Sequence, residues 1–324
     1  MLRIGILGAA GIAPAAVIQP ARRRTDVEVV AVASRRAESA RHFADSHRIG
    51  RFYSDYSNLV SDPGIDLIYN ALPPSEHAKW SIAAVQAGKH VLCEKPFAMN
   101  ADEAAQMLEA AESTGYRLIE AFHDRYHPLS AELDAVKASG GLGEIVSLRA
   151  DFSTSNPFDP ASLRHDPRLG GGSLMDLGCY PVHWVRAFMG EEPTVVRATG
   201  SLNPLGADLD IAAELQFPSG ATALISSAMV EQPGHLNSSL EVLGTEGKLV
   251  VNNLVFPSRG HSITQSSNGL DRTWTVRGFE TYDHQLEAIV QGLQSGRKLL
   301  TEGRDSLSNM KVIDGIYAAA GFRR

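Results

Sequence analysis

The chain has 324 residues, which exceeds the size at which a single hydrophobic core keeps growing, so two domains are expected. Hydrophobic residues make up 44% of the chain and charged residues 21%, an ordinary composition for a folded globular protein. The net charge of −7 argues against nucleic acid as the main partner, and no apolar stretch reaches the ~18 residues that a membrane-spanning helix needs.

The two cysteines, Cys93 and Cys179, lack the spacing of a metal site and are too few for a disulfide framework. Reduced thiols in a reducing compartment are the simpler interpretation, and the N-terminal sequence does not resemble a signal peptide. The histidines form no metal-binding motif, so a catalytic metal is not expected. These features predict a cytoplasmic protein that has no contact with a membrane.

Strands and helices alternate through the first third of the chain. Short apolar runs predict strands at residues 3–7, 27–33, 51–53, 67–71, 90–94 and 117–121. Helical patterns lie at residues 12–24, 37–47, 75–87 and 101–114. Alternation at this pace predicts a doubly wound parallel sheet with right-handed crossovers, which makes residues 1–121 a Rossmann-type domain.

The regular alternation of strands and helices ends after residue 121. Helices are predicted at residues 127–138, 173–189, 282–294 and 304–320, and a loop rich in Pro, Asp and Gly at 156–172. Strands are predicted at residues 145–153, 194–201, 211–217, 222–229, 239–244 and 248–251. Because several strands follow one another without helices between them, residues 122–324 are predicted to form an α+β domain on a mostly antiparallel open sheet.

A glycine turn follows the first predicted strand. Gly8, Ala10 and Ala13 occupy the three positions of the dinucleotide fingerprint G-x-G-x-x-G/A, directly before a helix. Gly8 allows the tight turn, whereas the methyl group of Ala10 limits the approach of a phosphate, and Gly11 compensates by a displacement of one residue. The N–H groups at the start of the helix, around Ile12, then face the pyrophosphate.

The end of the second strand bears on the choice of cofactor. NAD-preferring folds place an acidic residue there for the ribose 2′-hydroxyl, but this chain has Ser34, Arg35 and Arg36, with no carboxylate before Glu38. A hydroxyl and guanidinium groups suit a 2′-phosphate. The pattern favours NADP(H) over NAD(H), although arginines that simply begin the next helix on the surface would look the same.

Three further segments carry a family resemblance. They are Pro73-Pro74-Ser75-Glu76-His77, Cys93-Glu94-Lys95-Pro96, and the run from Gly170 to Tyr180, which contains Asp176. Together they resemble the Gfo/Idh/MocA oxidoreductase family, and Glu120-Ala121-Phe122 with Arg125 is most similar to its dihydrodiol dehydrogenase and NADP-dependent xylose dehydrogenase branch.

The resemblance implies a Rossmann domain followed by an α+β domain, and a homodimer or homotetramer formed through the outer face of the second sheet. It implies a catalytic pair, Lys95 and Tyr180, with Asp176 as a substrate-binding neighbour. Asn70, Leu72, Pro73, His77 and Glu94 resemble cofactor contacts of the family, although His77 could equally be a satisfied buried histidine. Arg125, Arg149 and Tyr282 are further candidates for the substrate pocket, and each could equally be an ion-pair or packing residue.

The residue types at these positions permit hydride chemistry independently of the resemblance. Lys95 precedes a proline, which favours extended backbone, and it ends a strand of a parallel sheet, where ligands bind. Asp176 and Tyr180 are spaced i, i+4, so both project from one face of the predicted helix. A free tyrosine titrates near pH ~10, and a nearby ammonium lowers that pKa, so a lysine–tyrosine pair can exchange the proton of a substrate hydroxyl.

The predicted function is therefore hydride transfer between NADP(H) and a small polyhydroxylated substrate, such as a sugar, a sugar derivative or a cyclic diol. Two alternatives remain open from the sequence. One is a glycosidase that oxidises its substrate transiently on a tightly bound NAD cofactor. The other is a non-enzymatic sensor of nucleotide or sugar, although a sensor has less reason to carry the full Lys95, Asp176 and Tyr180 set.

Overall fold

The computed structural model describes residues 1–267 and 269–322. The chain divides into two compact units: the first contains residues 1–125 and 282–307, and the second contains residues 126–281 and 308–324. The predicted division into residues 1–121 and 122–324 differs from this in two respects, because the first boundary falls after residue 125 and the segment 282–307 returns to the first unit.

The first unit is built on a six-stranded parallel sheet with the strand order β3-β2-β1-β4-β5-β6. Its strands are β1 (Leu2–Leu7), β2 (Val27–Ala33), β3 (Arg51–Tyr53), β4 (Leu67–Asn70), β5 (His90–Cys93) and β6 (Leu118–Glu120). All four residues of β4 are buried, as expected for a strand covered on both faces. The predicted Rossmann-type domain is confirmed, with strand boundaries within about two residues of prediction.

Helices connect the strands of this unit. They are α1 (Gln19–Arg22), α2 (Ala37–Ser46), α3 (Tyr56–Val60), α4 (His77–Gln86) and α5 (Ala101–Thr114). The unit also contains most of α8 (Thr281–Ser295), which follows β14 in the chain. A π-helical turn at Pro14–Ile18 leads into α1. The side chain of Asn100 caps the start of α5 by accepting from the N–H of Glu103, and Gly115 ends the helix with φ +74°.

The second unit contains an eight-stranded sheet with the order β14-β13-β12-β11-β7-β10-β9-β8. Its strands are β7 (Ile145–Ser155), β8 (Thr194–Leu202), β9 (Asp208–Gln216), β10 (Thr222–Val230), β11 (Leu236–Gly244), β12 (Gly247–Asn252), β13 (Ser262–Ser267) and β14 (Leu270–Trp274). The β7–β10 pair is parallel and the other pairs are antiparallel, so the prediction of a mostly antiparallel sheet is confirmed.

Helices cover one face of this sheet. The unit contributes α6 (Pro128–Ala138), a π-helical turn at Leu174–Gly178 that continues into α7 (Cys179–Met189), and most of α9 (Arg304–Ala320). Along β7, Leu148, Ala150 and Phe152 are buried on the face toward α7, whereas Arg149 and Asp151 point to the opposite, open face.

Three elements were missing from the prediction. Helix α3 and strands β13 and β14 were not expected, and residues 12–24 and 173–189, predicted as uninterrupted helices, both begin with a π-helical turn. Single π-helical turns occur frequently at functional sites, and here one directly follows the fingerprint turn and the other contains Asp176.

Candidate active site

The glycine turn lies where the strand order of the first sheet reverses, between β1 and β4. Gly8 has φ +96°, and its N–H donates to the carbonyl of Ala33 at 2.9 Å. A Cβ at this position would lie 3.2 Å from the carbonyl oxygen of Ala71 and 3.2 Å from Leu72 Cδ2. Both the backbone conformation and the close approach therefore require glycine.

The rest of the turn is open to solvent. Gly11 and Ile12 are exposed, Ala10 is half-buried, and a Cβ at Gly11 would meet nothing within 4 Å. The helical segment from Pro14 then starts at the carboxyl end of β1, with proline in its first turn, where the missing N–H costs nothing. A cradle at the switch point of a doubly wound sheet, beneath a helix start, fits the pyrophosphate of a dinucleotide.

Arg35 follows β2 at the same edge of the sheet. Arg35 is exposed and lies close to Tyr56. Burial raises the pKa of the Tyr56 phenol, and the positive charge of Arg35 partly offsets that rise. Ser34 is half-buried, and its N–H donates to the carbonyl of Tyr53 at 3.1 Å. No carboxylate in the part of the chain that the structure describes forms an ion pair with Arg35, so its charge is available at this edge.

Asn70 and His77 form a buried network behind the turn. Asn70 Nδ2 donates to Ser81 Oγ at 3.1 Å, and its Oδ1 accepts from the N–H of Leu72 at 3.3 Å. His77 is fully buried between two carbonyl oxygens, with Nδ1 2.9 Å from that of Pro96 and Nε2 2.8 Å from that of Leu72.

Burial lowers the pKa of His77, so the ring is neutral and donates to only one of these carbonyls at a time. The ring links the segment after β4, which contains Leu72 and half-buried Pro73, to the segment after β5. The sequence-based expectation that His77 contacts the cofactor stays a prediction. The geometry shows a residue that holds two strand ends together.

Lys95 follows β5 and is half-buried, and the Lys95–Pro96 peptide bond is cis. The preceding Glu94 accepts a hydrogen bond from the hydroxyl of Tyr69 at 2.5 Å, and the N–H of Lys95 donates to its other oxygen at 3.3 Å. Burial, together with the charge of Glu94, raises the pKa of Tyr69 well above its usual value, so this phenol stays protonated and donates. Glu94 is thus held at the strand end beside the lysine.

His123 extends this cluster, and the sequence analysis did not select it. The ring is 3% exposed and lies with its centroid 4.1 Å from that of Tyr282. Burial, with a smaller contribution from the charge of Lys95, lowers its pKa to about 3. His123 is therefore a neutral aromatic neighbour of the lysine at pH 7, and its position after β6 is the signal that could have identified it.

The glycine run of the second unit fixes the start of the helix that carries Asp176 and Tyr180. Gly172 has φ +126°, and a Cβ there would collide with Asp208 Oδ1. The buried carboxylate of Asp208 accepts from Ser173 Oγ at 2.8 Å, from the N–H of Leu174 at 2.6 Å and from the hydroxyl of Tyr317 at 2.7 Å. Three donors hold this carboxylate against the first turn.

Tyr180 is 3% exposed and packs among aromatic rings. Its centroid lies 5.4 Å from that of Phe152, in an edge-on arrangement, and 6.1 Å from that of Trp184. Arg149 lies on the opposite face of β7 from Phe152, so it does not share the surroundings of Tyr180.

Asp176 is paired with an arginine that the sequence analysis passed over. Arg164 Nε donates to Asp176 Oδ2 at 2.9 Å, and the arginine comes from the loop predicted at 156–172. Its partner lies twelve residues away across irregular structure, which leaves no periodic signal in the sequence.

Within the described part of the chain, the side chains and helices provide neither a metal site nor a membrane span. Across residues 1–267 and 269–322, no three or more His, Cys, Asp or Glu side chains are arranged to hold a metal ion. Within those residues, no helix combines the length and apolarity needed to cross a membrane.

Comparison with known proteins agrees with this arrangement. The model of the oxidoreductase family GFO_IDH_MocA, NAD-binding Rossmann fold, matches residues 2–122, and the model of the GFO/IDH/MocA C-terminal domain matches residues 131–250. An NADP(+)-dependent D-xylose 1-dehydrogenase of Haloferax volcanii is 36% identical over 321 residues, covering 98% of this chain and 97% of the relative.

Two further proteins show how the similarity extends. A trans-1,2-dihydrobenzene-1,2-diol dehydrogenase of Xenopus laevis is 36% identical over 223 residues, covering 68% of this chain and 66% of the relative. The crystal structure of a 3-ketoreductase from Actinomadura kijaniata, in complex with NADP and TDP-benzene, superposes with a TM-score of 0.90 at 26% identity, covering 98% of this chain and 97% of that one.

Proposed function

Because the chain belongs to the Gfo/Idh/MocA oxidoreductase family and is a nicotinamide-dependent oxidoreductase of carbohydrates or diols, we propose that it uses NADP(H) on a neutral sugar or cyclic diol. The observation that carries the proposal is the cradle at Gly8, which lies at the β1–β4 switch point and leaves no room for a Cβ. Residues 1–121 would hold the nucleotide, and residues 122–324 would bind the substrate and the partner subunit.

Gly8, Ala10, Gly11 and Ile12 would hold the pyrophosphate, and Asn70, Leu72, Pro73, Glu94 and Lys95 would line the rest of the nucleotide site. His77 would act there by linking the segments that contain Leu72 and Lys95. The nicotinamide, when bound, supplies the hydride acceptor or donor.

Within the second unit, Tyr180 would exchange the proton of the reacting hydroxyl and Asp176 would accept a hydrogen bond from a neighbouring hydroxyl. Lys95 would supply a positive charge that lowers the pKa of the phenol and binds a substrate oxygen. These roles require Lys95 to be charged, and the neutral state of His123 avoids a second positive charge beside it.

The preference for NADP(H) rests on the edge beyond β2. Arg35 is exposed, has no carboxylate partner among the described residues, and offers fixed donors for a 2′-phosphate, while Ser34 adds a hydroxyl. The relative from H. volcanii is named for NADP(+), and the 3-ketoreductase was crystallised with NADP, which agrees with this preference. No finding favours a transient-oxidation glycosidase or a sensor.

We also propose a cytoplasmic homodimer or homotetramer. Cys93 and Cys179 are both buried free thiols, which suits a reducing compartment. The open face of the eight-stranded sheet offers a continuous surface for a second copy of the chain. Neither nucleic acid nor a membrane is an expected partner of a chain with net charge −7.

The test is a titration of the purified protein with NADPH and NADH, followed by turnover assays on aldoses, polyols and cyclic diols with the better cofactor. Tyr180→Phe and Lys95→Ala are each expected to lower kcat about 10²–10⁴-fold, because each removes a proton-transfer group or its electrostatic support. Binding of NADPH by fluorescence should persist in Tyr180→Phe, which lies in the second unit.

Matched controls separate chemistry from general damage. Tyr116→Phe and Lys298→Ala change exposed residues of the same types in the first unit and should retain full turnover. Failure of both nucleotides to bind would refute the proposal. Full turnover in both Tyr180→Phe and Lys95→Ala would be compatible with the proposed cofactor site but would exclude Lys95 and Tyr180 as the catalytic pair.

A further inference from the structure

Arg164 is held against the start of the catalytic helix by its own backbone. Its carbonyl accepts from the N–H of Gly172 at 2.9 Å, and its N–H donates to Ser162 Oγ at 3.3 Å. A Cβ at Gly171 would lie 2.7 Å from the carbonyl carbon and the carbonyl oxygen of Arg164. The loop and the glycine run therefore fit together only because residue 171 is glycine. This contact fixes the position of the Arg164 backbone.

The side chain of Arg164 is only partly engaged. Its Nε donates to Asp176 Oδ2, and within the described residues the terminal nitrogens form no hydrogen bond or ion pair. The side chain is 54% exposed, compared with 20% for Asp176. A guanidinium has five N–H donors in a fixed plane, so most of its donor capacity remains available next to the carboxylate.

The neighbouring Arg168 provides a contrast on the same loop. It donates to Asp166 from both Nε and Nη2, at 3.0 and 2.8 Å, so its guanidinium forms a bidentate pair with the carboxylate. Its side chain is 85% exposed and its partner lies two residues away. Arg168 is thus a local surface pair, whereas Arg164 reaches the residue expected to bind substrate.

A pair that combines a carboxylate with an unfilled guanidinium is an acceptor next to a donor, with no net charge. An anionic substrate would gain little from it, because Asp176 already neutralises the guanidinium and repels a second carboxylate. Two adjacent hydroxyls match it, since one can donate to Asp176 while its neighbour accepts from Arg164.

We propose that Arg164 is a specificity-determining residue that donates a hydrogen bond to the substrate hydroxyl next to the one bound by Asp176. The enzyme then selects neutral sugars with a vicinal diol over sugar acids. The inference rests on the proposed function, because it assumes that Asp176 binds substrate. Arg164 takes no part in proton transfer, so its loss should raise KM more than it lowers kcat.

The experiment measures binding of sugars to the NADPH-loaded enzyme, in which an aldose has no hydride acceptor. The dissociation constants of D-xylose, its 2-deoxy, 3-deoxy and 4-deoxy analogues and a uronic acid are determined by the change in NADPH fluorescence. Wild type, Arg164→Gln, Arg164→Lys and Arg168→Gln are compared.

In wild type, removal of one ring hydroxyl should weaken binding about tenfold, the usual cost of one hydrogen bond to a charged group. Arg164→Gln should weaken the parent sugar by a similar factor and abolish the difference between it and that deoxy analogue. Arg164→Lys should keep part of the difference, because it restores charge without the planar fork. Arg168→Gln should behave as wild type.

Unchanged discrimination in both Arg164 variants would overturn the inference, as would tighter binding of the uronic acid than of D-xylose by wild type. A merely structural arginine would weaken all the sugars equally and leave the ratio intact. Absence of NADPH binding, in contrast, would refute the proposed function itself.

Discussion

Buried histidines at the carboxyl edge of the first sheet are kept neutral by their surroundings. His123 and His77 are 3% and 0% exposed, and burial is the largest cause of the lowered pKa at both. A charged imidazolium at either position would be buried without hydration, which is unfavourable, and the positive charge of Lys95 would repel it. The edge therefore carries the lysine charge without competing cations from these rings.

This neutrality predicts a pH-dependent loss of stability. The pKa of His123 is about 3 in the folded chain, compared with 6.5 unfolded, so the unfolded chain binds more protons between these values. The free energy of unfolding should therefore be highest above pH 6.5. As the pH falls below 6.5, it should decrease by up to about 1.4 kcal/mol per pH unit for one histidine. His123→Phe, which keeps an aromatic ring against Tyr282, should lose less stability on acidification.

The measurement is the thermal midpoint of both proteins at pH 7.5, 6.0 and 5.0. This range lies above the usual pKa of the carboxylates, so their protonation contributes little. The difference between wild type and His123→Phe should change steadily below pH 6.5. Parallel curves at all three values would show that His123 is not neutral in the folded chain.

Site residues differed in how visible they were in the sequence. Lys95, Asp176 and Tyr180 could be selected because they lie in local motifs next to strand ends or on one helix face. Arg164 could not be selected, since its importance arises from a contact with Asp176 across an irregular loop. His123 lies directly after a parallel strand, so the rule that ligands bind at strand ends was sufficient but was not applied to it.

At the scale of elements, the start of the helical segment that carries Asp176 and Tyr180 depends on a single buried carboxylate. Asp208, in β9, accepts from a side chain and a backbone N–H at the first turn and from Tyr317 of α9. The first N–H groups of a helix have no intrahelical partner, so an external acceptor stabilises both their position and the helix direction. Asp208 is therefore a positioning residue for Asp176 and Tyr180.

Asp208→Asn is expected to lower the free energy of unfolding by about 1–3 kcal/mol, because a neutral amide of the same shape replaces a charged acceptor of three hydrogen bonds. Turnover should fall with the displaced helix, whereas NADPH binding in the first unit should persist. Asp210→Asn is the matched control, since Asp210 is exposed two residues along the same strand. Chemical denaturation and kcat are measured for both, and equal effects of the two substitutions would contradict a positioning role.

Elements with strong periodicity were predictable, and those defined only by their neighbours were not. Strands β2 and β4 are runs of apolar residues. In contrast, β13 (Ser262–Ser267) is mostly polar and half-buried, and the edge strand β14 (Leu270–Trp274) is mostly exposed. β13 pairs with β12, and β14 pairs with β13, so both strands form because of backbone hydrogen bonds that their side chains do not predict. Helix α3 is five residues long, too short for a helical period to register.

At the scale of the whole chain, the return of residues 282–307 to the first unit was not predictable. It depends on contacts over long sequence distances, including the ion pair of Arg117 with Glu302 and the hydrogen bond from Thr301 Oγ1 to the carbonyl of Glu120 at 2.6 Å. These contacts cover the edge of β6, and an unpaired edge would otherwise be open to association. Composition identifies the helix in this segment but not the unit it joins.

The open face of the second sheet has the features expected of the proposed interface between two copies of the chain. Two ion pairs lie on the face itself, Arg197 with Glu214 at 2.5 Å and Lys248 with Glu241 at 2.8 Å. The face therefore has little excess of either sign at these positions, and Leu243 adds an apolar side chain that is 47% exposed. A self-complementary surface of this kind suits a two-fold symmetric interface, in which the same face meets itself.

Wild type should sediment at twice the chain mass of 34.8 kDa, or at four times that mass if the dimers pair. Ala212 lies on the open face between Thr199 and Ser226, so Ala212→Arg would place a bulky cation in the interface beside Asp210 and Glu214. Ala105→Arg is the control, on an exposed helix position flanked by Asp102 and Glu109. Sedimentation equilibrium should show dissociation for Ala212→Arg alone. A wild type that is monomeric at micromolar concentration, or an Ala212→Arg variant that stays associated, would exclude this face as the interface, because so large a side chain does not fit at the centre of a close-packed contact.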